Sequence, residues 1–329
     1  MGRNKKLQEI DLALNSLVIF RKLLTNDVML PLRALLDTDS MDPMIQLRQY
    51  TEFISRLYAR STNLTEFIFR LICEDDNFYV RAAASGEEID EMLEACLQNE
   101  LAILQRLARI RPHELQKEVS YYGVLPEWKT SDLDFGAEYH ARLRDIGKYG
   151  FGQFVPHKMF VYRDEMLVPI RQPDPVRLSD LQGFDTEIQK LIANTRLLLA
   201  GEPAENVLLC GDAGTGKSAA VKALVNEYAD EGLRLIELTQ DQLPHLPEIM
   251  EQLADNPLKF IIFADDLTVQ PDAPELGRLR SVLGGSAAVR LPNTAVYATS
   301  MQLPAVCEDP HDPLQALARR FGLRLRFRK

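Results

Sequence analysis

No run of apolar residues in the sequence approaches the ~18 needed to cross a bilayer. The polar, basic start Met1–Lys6 leads into no apolar signal core either, because Asp11, Asn15 and Arg21 interrupt the pattern. These absences predict a cytoplasmic chain that meets no membrane. Cysteine is scarce: Cys73, Cys96, Cys210 and Cys307 lie far apart with no C-x-x-C spacing, so neither a zinc site nor a disulfide framework is indicated. They read as reduced packing residues. Positive charge is also short. A net charge of −10 argues against a surface built mainly to hold nucleic acid, which needs clustered Lys and Arg. The one dense basic run is Arg319, Arg320, Arg324, Arg326, Arg328 and Lys329, whose alternation also suits an edge strand kept soluble by charge. A local basic patch leaves nucleic acid open as a partner, but the acidity tilts the expectation toward protein.

What is present is the composition of a globular protein, 46% hydrophobic and 26% charged over 329 residues, enough for two domains with cores of their own. Helical spacing of apolar residues predicts helices over residues 7–25 and, after the cap Asp42 and Pro43, over 45–57. Ser85 and Glu88 form a capping-box pattern ahead of a third helix that runs from Ile89 to Leu107 and is closed by Pro112. Residues 1–115 therefore read as a small helical domain. Residues 116–175 lose the helical period, gain aromatics, glycines and prolines, include the single tryptophan, Trp128, and read as a connector with two short strands near 159–170. From residue 176 to 329 strands alternate with helices, the signature of a parallel sheet covered on both faces. Five strands are expected there, with helices near 246–253, 275–283 and 314–320.

The center of that third segment is Gly211-Asp212-Ala213-Gly214-Thr215-Gly216-Lys217-Ser218, which fits the phosphate-binding pattern G-x-x-x-x-G-K-[ST] at every fixed position. The apolar strand Asn206–Cys210 precedes it and a helical stretch, Ala219–Tyr228, follows. In such a loop the glycines let backbone N–H groups turn toward phosphate oxygens, the lysine adds a cation, and the Ser218 hydroxyl can ligate Mg²⁺. Farther on, the apolar run Phe260–Ala264 delivers Asp265 and Asp266 at the carboxyl end of a strand, where parallel α/β sheets bind ligands. Asp265 suits the metal, held through a water because Mg²⁺ keeps several of its own, while Asp266 suits the orientation or polarization of an attacking water.

Arg177–Gly183, the loop 211–218, Phe260–Asp266, Tyr297–Ser300 and Arg320–Leu323 together resemble the AAA+ ATPases. More closely, the chain resembles a bacterial family of predicted ATPases described only as a domain of unknown function, which pairs a helical amino-terminal region with this module. The resemblance implies a five-stranded parallel AAA+-like P-loop sheet preceded by a smaller helical domain, with ATP and Mg²⁺ as ligands. It implies that Gly211 to Ala219 cradle the nucleotide, that Leu181, Gly183 and Phe184 border the adenine, and that Thr299 or Ser300 senses the γ-phosphate. Arg320 is similar to the arginine finger that reaches a neighboring subunit's nucleotide, which implies a nucleotide-dependent homo-oligomer; ordinary strand-edge charge is the other reading of this residue. The sequence departs from the family in two places. Met301-Gln302-Leu303 stands where Asn-Arg-Arg is usual, and no helical lid follows the last strand before Lys329. The expected activity is hydrolysis of Mg·ATP, slow in the absence of a lid, to remodel or switch a macromolecular partner through Lys217, Asp266 and Arg320. The alternatives are a nucleotide-gated binding switch with little or no hydrolysis and, third, a phosphotransferase.

Overall fold

The computed structural model describes residues 5–37, 42–268, 277, 279–280, 282–283, 291–307, 309 and 311–327. The chain divides into two compact units, Met1–Asp145 and Ile146–Lys329.

The first unit is helical: α1 (Lys5–Leu14), α2 (Met29–Leu36), α3 (Pro43–Tyr58), α4 (Leu64–Glu74), α5 (Phe78–Ser85), α6 (Glu91–Ala108), α7 (Pro112–Gln116) and α8 (Phe135–Arg144). Asp42 caps α3 as its sequence predicts, accepting from the Met44 N–H at 2.7 Å with Pro43 in the first turn. Two expectations change. The helix expected over 7–25 is broken after Leu14, because the buried Glu100 carboxylate collects the N–H groups of Val18, Ile19 and Phe20 at 2.6 to 3.1 Å and holds that backbone out of the helix. The capping box at Ser85 and Glu88 is not the start of α6. Ser85 ends α5, Gly86 follows it in the left-handed conformation, and Asp90 caps α6 by accepting from Met92 N–H.

The unit's core runs beyond the expected boundary at 115. Trp128, Phe135 and Tyr139 pack into it, and the Trp128 indole N–H donates to the Ile110 carbonyl at 2.9 Å. The residues expected as a connector thus divide between the two units. Each fully buried leucine or phenylalanine of such a core contributes roughly 1.5–3 kcal/mol.

The second unit holds α9 (Ile146–Tyr149), β1 (Met159–Arg163), β2 (Met166–Pro169), α10 (Asp185–Leu199), β3 (Val207–Gly211), α11 (Lys217–Tyr228), β4 (Leu233–Leu238), α12 (Leu246–Leu253), β5 (Lys259–Ala264), β6 (Thr294–Ser300), α13 (Pro313–Ala318) and β7 (Leu323–Phe327). The helix expected near 275–283 falls largely outside the described residues. The sheet has seven strands in the order β2-β1-β4-β5-β6-β3-β7, not five. The five expected strands, β3 to β7, are all parallel; the two additions are the β1–β2 hairpin, antiparallel within itself and joined to β4 by parallel pairing. Apolar side chains cover both faces of the sheet, so β3, β5 and β6 read as near-continuous apolar runs. This architecture brings the carboxyl ends of β3, β5 and β6 side by side, with β6 between the other two.

Candidate functional site

The loop 211–216 leaves the end of β3 and enters α11 at Lys217. Gly211 is irreplaceable on steric grounds. Its φ is +147° and it lies opposite Phe327 of β7, so a Cβ there would sit 1.7 Å from the Phe327 carbonyl oxygen. Gly214 and Gly216 adopt the left-handed conformation, at φ +71° and +85°, and turn the chain into the first turn of α11. Asp212, Ala213 and Gly214 are exposed at the tip, Ala219 is half-buried, and the Thr215 hydroxyl ties the loop by donating to the Asp212 carbonyl at 2.9 Å. Lys217 is buried. Its Nζ donates to the carbonyls of Gly211 at 2.8 Å and Asp212 at 2.7 Å, which places a cation inside the loop.

Across from the loop, the Asp265 carboxylate follows the last residue of β5. Its Oδ1 accepts two hydroxyls, Ser218 Oγ from the first turn of α11 and Thr299 Oγ1 from β6, each at 2.6 Å. Thr299 works in both directions, since the same oxygen accepts from the Asp266 N–H at 2.7 Å. That bond holds Asp266 at φ +53°, a left-handed conformation uncommon for a non-glycine residue. The Asp266 side chain is exposed, and no hydrogen bond or ion pair of its carboxylate is found among the described residues. Of the two candidates at the end of β6, Thr299 therefore meets the acidic pair. Ser300 is fully buried and donates to the Leu267 carbonyl at 2.7 Å, which makes it a turn anchor.

The pairing of a hydroxyl with a carboxylate at Ser218 and Asp265 offers the oxygen donors that Mg²⁺ takes, and the glycine loop with its inward lysine suits phosphate. Leu181 and Phe184 pack on the sheet beside the loop, with the Phe184 ring 5.0 Å from that of Phe327, and Gly183 between them is exposed at φ +75°. Cys210, just ahead of the loop, is a packing residue. Burial, reinforced by Cys307, pushes its thiol up to about 12, against the pull of Arg324 and Lys217.

Arg320 is not brought to this chain's loop. It precedes β7 and so lies at the amino end of that strand, whereas the loop leaves the carboxyl end of the adjoining β3; its residue is exposed, and no hydrogen bond or ion pair of its side chain is found among the described residues. One contributor had no signal in the sequence. Gln240, just past β4, accepts from the Thr268 N–H at 3.0 Å and braces the turn that carries Asp266. Among the described residues no helix is long and apolar enough to cross a membrane.

The family model described as "Protein of unknown function (DUF815)" matches residues 156–329, more than half of the chain, beginning just ahead of β1. Among solved structures the chain is similar to one titled "Crystal Structure of the DnaI", with 16% sequence identity and a TM-score of 0.35, over 51% of this chain and 94% of that one.

Proposed function

This chain belongs to the family described as protein of unknown function DUF815, and from its site we propose that it is an AAA+-like P-loop ATPase that binds and hydrolyzes Mg·ATP to remodel or switch a macromolecular partner. The observation that carries the reading is the convergence of Ser218 and Thr299 on one oxygen of Asp265, directly across from a lysine-filled glycine loop. In this reading the backbone of Gly211 to Ala219 and the Lys217 ammonium hold the phosphates, and Ser218 and Asp265 hold the metal. Mg²⁺, when bound, neutralizes charge that develops on the phosphate oxygens. Asp266, whose carboxylate has no hydrogen bond or ion pair among the described residues, orients the attacking water, and Thr299 fixes both acidic residues in place. Arg320, on the far end of the sheet from its own loop, acts on a second copy's nucleotide, so the working form is a nucleotide-dependent oligomer. The partner is a protein, in keeping with the net charge of −10.

The test is steady-state phosphate release by the parent and by Asp266→Asn, with ATP affinity measured alongside. The account expects unchanged affinity and a rate lower by about 10²–10⁴, the range of a lost general base. A variant that turns over at the parent rate refutes the role of Asp266. A second reading, a nucleotide-gated switch with little hydrolysis, is favored by Met301, which is 53% exposed just past Ser300 where the resembling family carries a polar residue.

A further inference from the structure

At the end of the sheet opposite the glycine loop, a cleft of about 320 Å³ opens where β1 and β4 begin and β2 ends. Its lining includes Lys158, Arg171, Arg234 and His157, against a single carboxylate, Asp230. In a chain with a net charge of −10 this local excess of cations is unusual.

Arg234 is the buried cation of the cleft. It is 5% exposed, yet no carboxylate lies within ion-pair distance of it among the described residues. Its Nε donates to the Phe154 carbonyl at 2.9 Å, and Nη1 donates to the carbonyls of Ala229 and Leu233, each at 2.8 Å. These three bonds account for the structural work of the side chain, which ties the segment before β1 to the turn before β4. Nη2 is left with no described protein partner and is not sealed from solvent. A buried guanidinium is ordinarily paired, since removing a charge from water costs several kcal/mol without a counter-charge. Burial holds Arg234 down to about 10, with Asp230 alone opposing, and Lys158 is held below the usual lysine value by burial and then by Arg177 and Arg234. Lys158 Nζ and the Arg171 guanidinium make no hydrogen bond among the described residues. The Nη2 edge of Arg234, Lys158 Nζ and the Arg171 guanidinium are therefore gathered in one cleft with no hydrogen-bond acceptor for them among the described residues.

We propose that this cleft is a second anion site, built to take a small ligand bearing a phosphate group. A phosphate monoester carries about −1.5 to −2 charges near neutral pH and three acceptor oxygens, which suits the free Nη2 edge of Arg234 together with Lys158 and Arg171 in the same lining. The volume is at the lower end of the range of about 300–1,000 Å³ for small-molecule pockets, which favors a compact ligand over a polymer backbone.

The test follows the His157 ring signal of the full chain by NMR, assigned through His157→Gln, during titration with inorganic phosphate and then pyrophosphate. A saturable shift is expected, with equal affinity in the parent and in Lys217→Ala, which separates this cleft from the glycine loop. Lys158→Gln combined with Arg171→Gln should weaken that affinity at least tenfold. These exposed or half-buried positions leave the structural bonds of Arg234 intact, so the variant is expected to fold. An unmoved His157 signal at millimolar phosphate, equal affinity in the double variant, or loss of the shift in Lys217→Ala would overturn the proposal. Tighter binding of a thymidine oligonucleotide than of either small anion, sensitive to the same double substitution, would overturn it in favor of a nucleic-acid backbone.

Discussion

Replacing Thr299 with valine keeps the shape of a side chain that is 2% exposed and removes only its hydroxyl. Two hydrogen bonds go with it: the one donated to Asp265 Oδ1 at 2.6 Å and the one accepted from the Asp266 N–H at 2.7 Å. A bond to a charged acceptor contributes about 1.5–3 kcal/mol and a neutral one about 0.5–1.5, so the turn should lose about 2–4 kcal/mol of local stabilization. The left-handed backbone of Asp266 costs on the order of 1 kcal/mol and is no longer held by that bond. The turn does not come away from β6, because the Leu267 N–H still donates to the Thr299 carbonyl at 2.7 Å. Asp266 should therefore shift without the fold being lost, and a misplacement of about 1 Å at a reacting center costs roughly 10² in rate. Urea denaturation and single-turnover ATP hydrolysis at saturating enzyme measure the two effects separately. Thr299→Ser, which restores the hydroxyl, should recover most of the rate. Ser300→Ala should lower stability, through loss of its bonds to Leu267, Gln302 and Leu303, with a much smaller effect on hydrolysis. Parent-like hydrolysis by Thr299→Val, or failure of serine to rescue it, would refute the reasoning.

Gly211→Ala puts a Cβ into the Phe327 carbonyl at a backbone conformation that alanine avoids. It should destabilize the second unit by about 3 kcal/mol in urea unfolding, and a loss below about 1 kcal/mol would mean that β3 and β7 are not paired as described. In the first unit, His140 bonds Glu94 through Nε2 at 2.8 Å and the Gly136 carbonyl through Nδ1 at 2.7 Å, so both ring nitrogens face acceptors. Burial opposes its charge, but the bonds to Glu94 and Gly136 outweigh that and raise its pKa above the ordinary 6.5. The raised folded value means that the stabilization is complete below the unfolded pKa and is lost as pH rises through the folded one. Glu94 is shifted downward, by Tyr79 foremost and also by His140 and Gln98 against the effect of burial, so its own contribution fades at the acid end. The stability difference between the parent and His140→Gln, from urea unfolding across pH, should accordingly be larger at pH 6 than at pH 9; a difference that grows with pH would contradict the assignment.

The glycine loop and the acidic pair were legible because both depend on residue types at fixed local spacing. Gly211 ends β3, Lys217 starts α11 and Asp265 directly follows β5, where their patterns place them. The sheet's full width was not legible. Met159–Tyr162 has an apolar look, but its partner is β4, more than 70 residues on, and local pattern carries no information about which distant strand it joins. The domain boundary was obscured for a similar reason. α8 has only the narrow stripe Phe135, Tyr139 and Leu143, interrupted by Gly136 and charged residues, and the burial of Phe135 and Tyr139 assigns it to the helical core. Nor could spacing choose between Thr299 and Ser300, since adjacent strand residues point to opposite faces and the choice rests on which face meets Asp265.

The central claim is that the loop 211–218 is a nucleotide site, and equilibrium binding of a fluorescent ATP analog with Mg²⁺ to the parent and to Lys217→Ala tests it most directly. Lys217 is the buried cation of the loop, and the loss of one charge-assisted contact of about 1.5–3 kcal/mol should weaken binding at least tenfold. Thermal unfolding of the same variant establishes that it remains folded. Saturable binding by the parent and a tenfold or greater loss in a folded Lys217→Ala is the predicted result; equal affinity in the two proteins, or no binding by the parent, would contradict the account.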